Sequence, residues 1–281
     1  MLNSFTRRGF LQWSAVALPG QALALQGGRA AEQEGASMTF GESYPAYPRD
    51  VAREIVTVAH FNLGRVRELV SARPPLARAA WDWGFGDWET PLGAASHMGR
   101  RDIAEYLLTQ GAVPSLFSAT MLGHLATVKE ILAAEPDAPR LAGPHSISLL
   151  AHARVGGKPA AEVFAYLETL GNADQAAPVA LSEAELTAIA GTYVFGSEAT
   201  QQIEVNTDMH VYANSPMYTH APQLNWTRKG TMGRPLFHVG DRAFYPAGAA
   251  GVRIRFGEQA QRMVMTVEDG GEKLVATRAV G

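Results

Sequence analysis

The 281-residue chain contains no cysteine. That absence excludes disulfides, thiol nucleophiles, cysteine-ligated zinc and a lipid-anchored cysteine. Charge of one sign is also lacking: 24 Lys and Arg stand against 27 Asp and Glu, a formal net charge of −3. Without a basic stripe, nucleic acid is not an expected partner. Long apolar runs are missing too. The most apolar stretch, "WSAVALPGQALAL" (13–25), is broken by Pro19 and Gly20 and falls short of the roughly 20 residues that a membrane-spanning helix needs. Enzyme signatures are equally scarce: no S-x-x-K, no G-x-S-x-G and no H-E-x-x-H occurs, which removes the common serine-nucleophile and zinc-helix motifs. "GFGDWE" (84–89) begins like a phosphate-binding loop, but the third glycine and the preceding strand are missing. What is present is an ordinary globular composition, 47% hydrophobic and 18% charged, in a chain long enough for two domains.

The first thirty residues read as an export signal. "TRRGFLQ" (6–12) resembles the twin-arginine motif, with Arg7 and Arg8 followed by Phe10 and Leu11, then the short apolar stretch. Small residues offer cleavage after Ala24 or Ala30. The resemblance implies export of an already folded protein, to the periplasm or beyond the cell. Removing 1–30 would take away Arg7, Arg8 and Arg29 and no acid, leaving 21 basic and 27 acidic residues, a net charge of −6. No membrane span remains after removal. Residues 31–49 form a linker.

From residue 50 to 174 the chain repeats itself. "RVRELVSARP" (65–74), "IAEYLLTQGA" (103–112), "TVKEILAAEP" (127–136) and "VFAYLETLGN" (163–172) align through Val66, Ala104, Val128 and Phe164, at steps of 38, 24 and 36 residues. Each carries an apolar stripe at helical spacing, and each follows a second short helical stretch: "EIVTVAHFN", "TPLGAASHMG", "SLFSATMLGH" and "ISLLAHARVG". The copy "ETPLGAASHMGRRDIAEYLLTQGA" resembles the ankyrin repeat, whose period is about 33 residues with a T-P-L-H-x-A opening. Gly93 stands where that motif has histidine, and the 24-residue step leaves no room for a β-finger between the second and third copies. A different helix-pair repeat is the alternative. The resemblance implies a stack of about four repeats with a binding surface along one face.

After a linker at 175–181 the periodicity changes. "LSEAELTAIAG" reads as a helix, capped by Ser182 and Glu185, stapled by Leu181 and Leu186 and ended by Gly191. Alternation with period two then takes over: Ile203 with Val205, Val252 with Ile254 and Phe256, and Met263 with Met265 and Val267. Asp269, Gly270 and Gly271 turn the chain into "KLVATRAV". About eight short strands over 182–281 are enough to close a small antiparallel barrel. Their pattern resembles a lipocalin-like accessory barrel of exported bacterial proteins. The expected class is therefore α + β in two domains, a helical ankyrin-like stack followed by the barrel.

Candidate functional residues are few. Among the histidines at 60, 97, 124, 145, 152, 210, 220 and 238, no pair has the i,i+4 helical spacing of metal ligands, so no metal, cofactor or catalytic set is assigned. His97 lies near Asp87 and Glu89 in sequence; a carboxylate–histidine site competes there with a helix-end histidine bonded to backbone. "WDWGFGDWE" (81–89) puts Trp81, Trp83, Phe85 and Trp88 into one connection. Such rings either anchor a partner or fold back to cap the first repeat or dock on the barrel. In the second half Tyr212, Tyr218, Trp226, Phe237, Phe244, Tyr245 and Phe256 either line a ligand cavity or form the barrel core. The expected function is a non-enzymatic binding protein with a protein partner, contacting it through Trp81, Trp83, Phe85, Trp88 and His97. The alternatives are a carrier holding a small apolar ligand in the barrel, and a hydrolase at the junction of the two halves.

Overall fold

The computed structural model describes residues 45–196, 202–209, 216–220, 222–228, 231 and 233–279. The export signal, most of the 31–49 linker, His210 and Tyr212 lie outside the described residues. Four helix pairs come first: α1 (Arg49–Val58) with α2 (Leu63–Ala72), α3 (Pro91–His97) with α4 (Arg101–Thr109), α5 (Leu116–Leu122) with α6 (Leu125–Ala134), and α7 (Leu149–Val155) with α8 (Ala161–Leu170). The first helices of the pairs stack in order, α1 on α3 on α5 on α7, with the second helices behind them.

Local chemistry explains where these helices start. Thr90, Ser115 and Ser148 each accept a backbone N–H from three residues ahead, capping α3, α5 and α7. The packed stripe of the second helices is Val66 and Val70, Ile103 and Leu107, Val128 and Leu132, and Val163 and Leu167, all buried. In the fourth copy the residue that packs inward is thus Val163, one position before Phe164. Between the first and second pairs runs a two-stranded finger, β1 (Trp81–Asp82) against β2 (Trp88–Glu89). No strand is placed between the second and third pairs.

Helix α9 (Glu183–Ile189) has the capping box expected of Ser182 and Glu185, with Leu181 and Leu186 at the edge of the barrel core. Eight strands follow: β3 (Gly191–Phe195), β4 (Gln202–Asn206), β5 (Leu224–Arg228), β6 (Arg234–Gly240), β7 (Ala243–Pro246), β8 (Arg253–Gln259), β9 (Arg262–Asp269) and β10 (Glu272–Arg278). Each pairs antiparallel with the next, and β10 closes on β3. Tyr193, Phe244 and Phe256 meet edge to face at 5.5 Å within a core that includes Leu224, Ile254 and Met265.

The barrel and the helices pack within one compact unit, Arg49–Gly281. Strand β6 shows how. Pro235, Leu236, Phe237 and His238 are buried in succession, which alternation allows only when both faces of a strand are covered. Leu236 belongs to the barrel core. Phe237 belongs to a separate cluster with Tyr218 and Ala247 and with Ile147 and Ala151 from the start of the fourth helix pair.

Candidate metal centre

The aromatic finger is organised by strand alternation. At the start of β2 the side chains of Asp87, just before the strand, and Glu89 are buried, while Trp88 between them is 60% exposed. The turn is built by Gly84, Phe85 and Gly86, all with left-handed backbone. Phe85 docks edge to face on Trp226 of the barrel at 5.3 Å, and Trp81 lies under the Arg49 guanidinium at 5.7 Å. Trp83 folds over the base of the finger, where its indole N–H donates to Glu89 Oε2 at 2.8 Å. Of the four rings Trp88 is exposed, and Trp81, Trp83 and Phe85 are half-buried.

Glu89 is the hub of a histidine cluster. His97 Nδ1 lies 3.2 Å from Oε1, His60 Nε2 lies 3.5 Å from Oε2, and His145 Nε2 lies 3.4 Å from Oε2. One donor atom from each of the four residues lies within 4.8 Å of every other. Repeat geometry brings two of the histidines together. His60 follows α1 and His97 ends α3, each six residues before the first packed residue of the next helix, Val66 or Ile103. Stacking α1 on α3 therefore makes them neighbours, with rings 4.9 Å apart. His145 arrives from the turn Pro144–Ser146, where His145 and Ser146 both adopt left-handed backbone.

The remaining ring nitrogens fix the tautomers. His60 Nδ1 lies 3.0 Å from the Val56 carbonyl and 3.1 Å from that of Thr57. Carbonyls only accept, so Nδ1 carries hydrogen, and Nε2 is the nitrogen that faces the cluster. His145 Nδ1 donates to Asp87 Oδ2 at 2.8 Å, and the same carboxylate accepts the His145 backbone N–H at 2.9 Å. This carboxylate–histidine arrangement is the outer shell that orients metal-ligating imidazoles. Asp87 is held in turn by Arg234 at 3.6 Å, whose guanidinium also donates to the carbonyls of Trp83 and Ala247 at 2.7 and 2.8 Å.

Two buried polar atoms are left over. Glu89 Oε1 and His97 Nδ1 face each other, yet their geometry makes no hydrogen bond and neither has another partner among the described residues. Buried polar atoms without partners are rare and point to a missing ion or water. Glu89 lies 3.2 Å through Oε1 from His97, and 3.4 and 3.5 Å through Oε2 from His145 and His60, so the carboxylate presents both oxygens to the three rings.

Protonation follows the same geometry. Burial pushes the Glu89 carboxyl up, but the nearby rings of His145 and His97 outweigh it and hold it well below the usual carboxylate range. Burial would lower His145, yet its bonds to Asp87 and Glu89 prevail and raise it to about 9. His97 is lowered by burial, against the pull of Glu89. Glu89 is thus a buried carboxylate among three imidazoles, of which His145 is raised and His97 lowered.

Of the residues singled out in the sequence, His97 is a member of the cluster and Trp83 is hydrogen-bonded to it, whereas Trp81, Phe85 and Trp88 are not among its four donors. Proximity in sequence had paired His97 with Glu89 as one alternative, whereas His60 and His145 were not marked as ligands, because they converge from segments up to 85 positions apart. The legible signal was their placement: two histidines at equivalent repeat positions, and an Asp-Trp-Glu strand with both acids on one side. No protein-family profile matches the chain, and no curated protein matches it significantly.

Proposed function

We propose that this is an exported binding protein built around a divalent transition-metal ion held by His60, Glu89, His97 and His145. The observation that carries this reading is the convergence of three imidazole nitrogens and one carboxylate within 4.8 Å, two of the facing atoms being buried and unpartnered. Three nitrogen donors and one oxygen suit zinc, iron, nickel or copper; calcium and magnesium call for oxygen throughout. The Arg7–Arg8 leader supports export in the folded state. Four stacked helix pairs with a finger between the first two support an ankyrin-like repeat, and the closed eight-stranded barrel supports a lipocalin-like accessory domain.

The test is stoichiometry. Protein stripped with a chelator and titrated with zinc in a calorimeter takes up one ion per chain. Glu89→Gln and His97→Ala, checked for folding by circular dichroism, lose that stoichiometric uptake. Full-strength zinc binding by both variants would dismiss the centre.

A second reading concerns the outer side of the same finger. Trp88 is 60% exposed, and an exposed tryptophan is a common anchor for a protein partner. Trp88→Ala leaves stability within about 0.5 kcal/mol and lowers affinity for a partner once one is in hand; unchanged affinity would remove Trp88 from the interface.

A further inference from the structure

We infer that the ion is a structural cross-link with a closed coordination sphere, taking the place of the disulfides this cysteine-free chain cannot form. The inference rests on the metal reading above and adds what the ion does. Four protein donors are enough to fill a tetrahedral site, and a filled site has no position left for water or substrate. The donors are spread along the chain: the turn after α1, strand β2, the end of α3, and the Pro144–Ser146 turn before α7. One ion would therefore clasp two helix pairs, the finger and the loop leading into the last pair.

The segments it joins are those least able to hold themselves. The strands of the finger are two residues each, and a short hairpin is marginal in water. The Pro144–Ser146 turn carries two consecutive residues, His145 and Ser146, in left-handed backbone, a conformation that persists only where the surroundings enforce it. Both segments also carry the contacts to the barrel. Arg234 of β6 donates to the Trp83 carbonyl, the Tyr218 hydroxyl donates to the His145 carbonyl at 2.9 Å, and Gly248 N–H donates to Ser146 Oγ at 2.8 Å. Gly248 has left-handed backbone, and a Cβ there would collide with the Asp87 carboxylate. Fixing Glu89 and His145 on one ion thus fixes the surface against which the barrel rests.

Cobalt(II) in place of zinc reads the coordination directly. The loaded protein is expected to show the intense visible bands of four-coordinate cobalt, unmoved by added azide. His60→Gln, which removes the histidine farthest from Glu89, at 3.5 Å, opens a position and makes those bands azide-sensitive. Hydrogen exchange provides the second measurement: chelation is expected to raise exchange at residues 81–89 and 143–148 relative to the zinc form. Weak or azide-sensitive bands in the unaltered protein would overturn the inference and favour the junction hydrolase, as would bound zinc with no change in exchange at those segments. Failure of cobalt and zinc to bind at all would instead reject the metal reading on which it rests.

Discussion

At the scale of single residues, buried histidines behave in opposite ways according to what faces them. His145 meets two carboxylates and is raised; His152 meets none and is lowered to about 3, chiefly by burial. Its Nδ1 donates to the Ser148 carbonyl at 2.8 Å, and its Nε2 is buried without a partner beside the Phe117 ring. The sign of the pH effect follows. An unfolded His152 takes up a proton near its usual 6.5, the folded one resists down to about 3, so stability is full above 6.5 and lost as pH falls through that window. The slope from this residue is about 1.4 kcal/mol per pH unit. Urea melts of metal-free protein at pH 7, 6 and 5, compared with His152→Gln, check it: the variant should lose less stability on acidification, and parallel losses would refute the assignment. Residues of this kind were the least legible from sequence. Nothing in "LLAHARV" says whether a helix histidine faces a carboxylate or a phenyl ring, since the partners of His145 and His152 are set by stacking and by the finger.

At the scale of elements much more could be read. Helical periodicity and the Ser182–Glu185 box act within one turn, so they are visible locally and appear where expected. The same holds for alternation in Met263, Met265 and Val267, which puts all three into the barrel core. Register was harder. Whether Val163 or Phe164 packs depends on how α8 rolls against α7, and either residue fits a helical stripe. The finger illustrates the limit most clearly: four rings in nine residues allowed either a binding face or a folded-back cap, and each ring has its own surroundings, Phe85 on Trp226, Trp81 under Arg49, Trp83 on Glu89, and Trp88 exposed. Helix junctions in the repeats carry their own prediction. Gly123 ends α5 with φ of +78°, and a Cβ there would run into the Pro159 carbonyl. Gly123→Ala pays both the left-handed backbone and the clash, an expected loss of at least about 1–2 kcal/mol, measured by urea denaturation. A loss below about 0.5 kcal/mol would mean that the neighbouring loop gives way.

At the scale of the whole molecule the helical stack and the barrel share an interior. Alternation and repeats are short-range signals, so they delineate two halves but cannot report that β6 is buried on both faces or that Phe237 completes a cluster with Ile147 and Ala151. Two independent domains would unfold in two steps, each indifferent to mutations in the other. A shared interface instead couples them. Phe237 is 1% exposed and stacks on Tyr245 at 5.1 Å, so Phe237→Ala leaves a cavity worth about 3–5 kcal/mol. That loss falls on the contact between halves, not on the barrel core. Residues 49–281 are accordingly expected to unfold in one transition. Far-ultraviolet circular dichroism, dominated by the helices, and urea-dependent hydrogen exchange of the barrel strands β3–β10 should then share one midpoint. Phe237→Ala should lower that midpoint for both probes together. A barrel signal that shifts while the helical signal stays in place would show instead that the halves fold independently and that the interface contributes little.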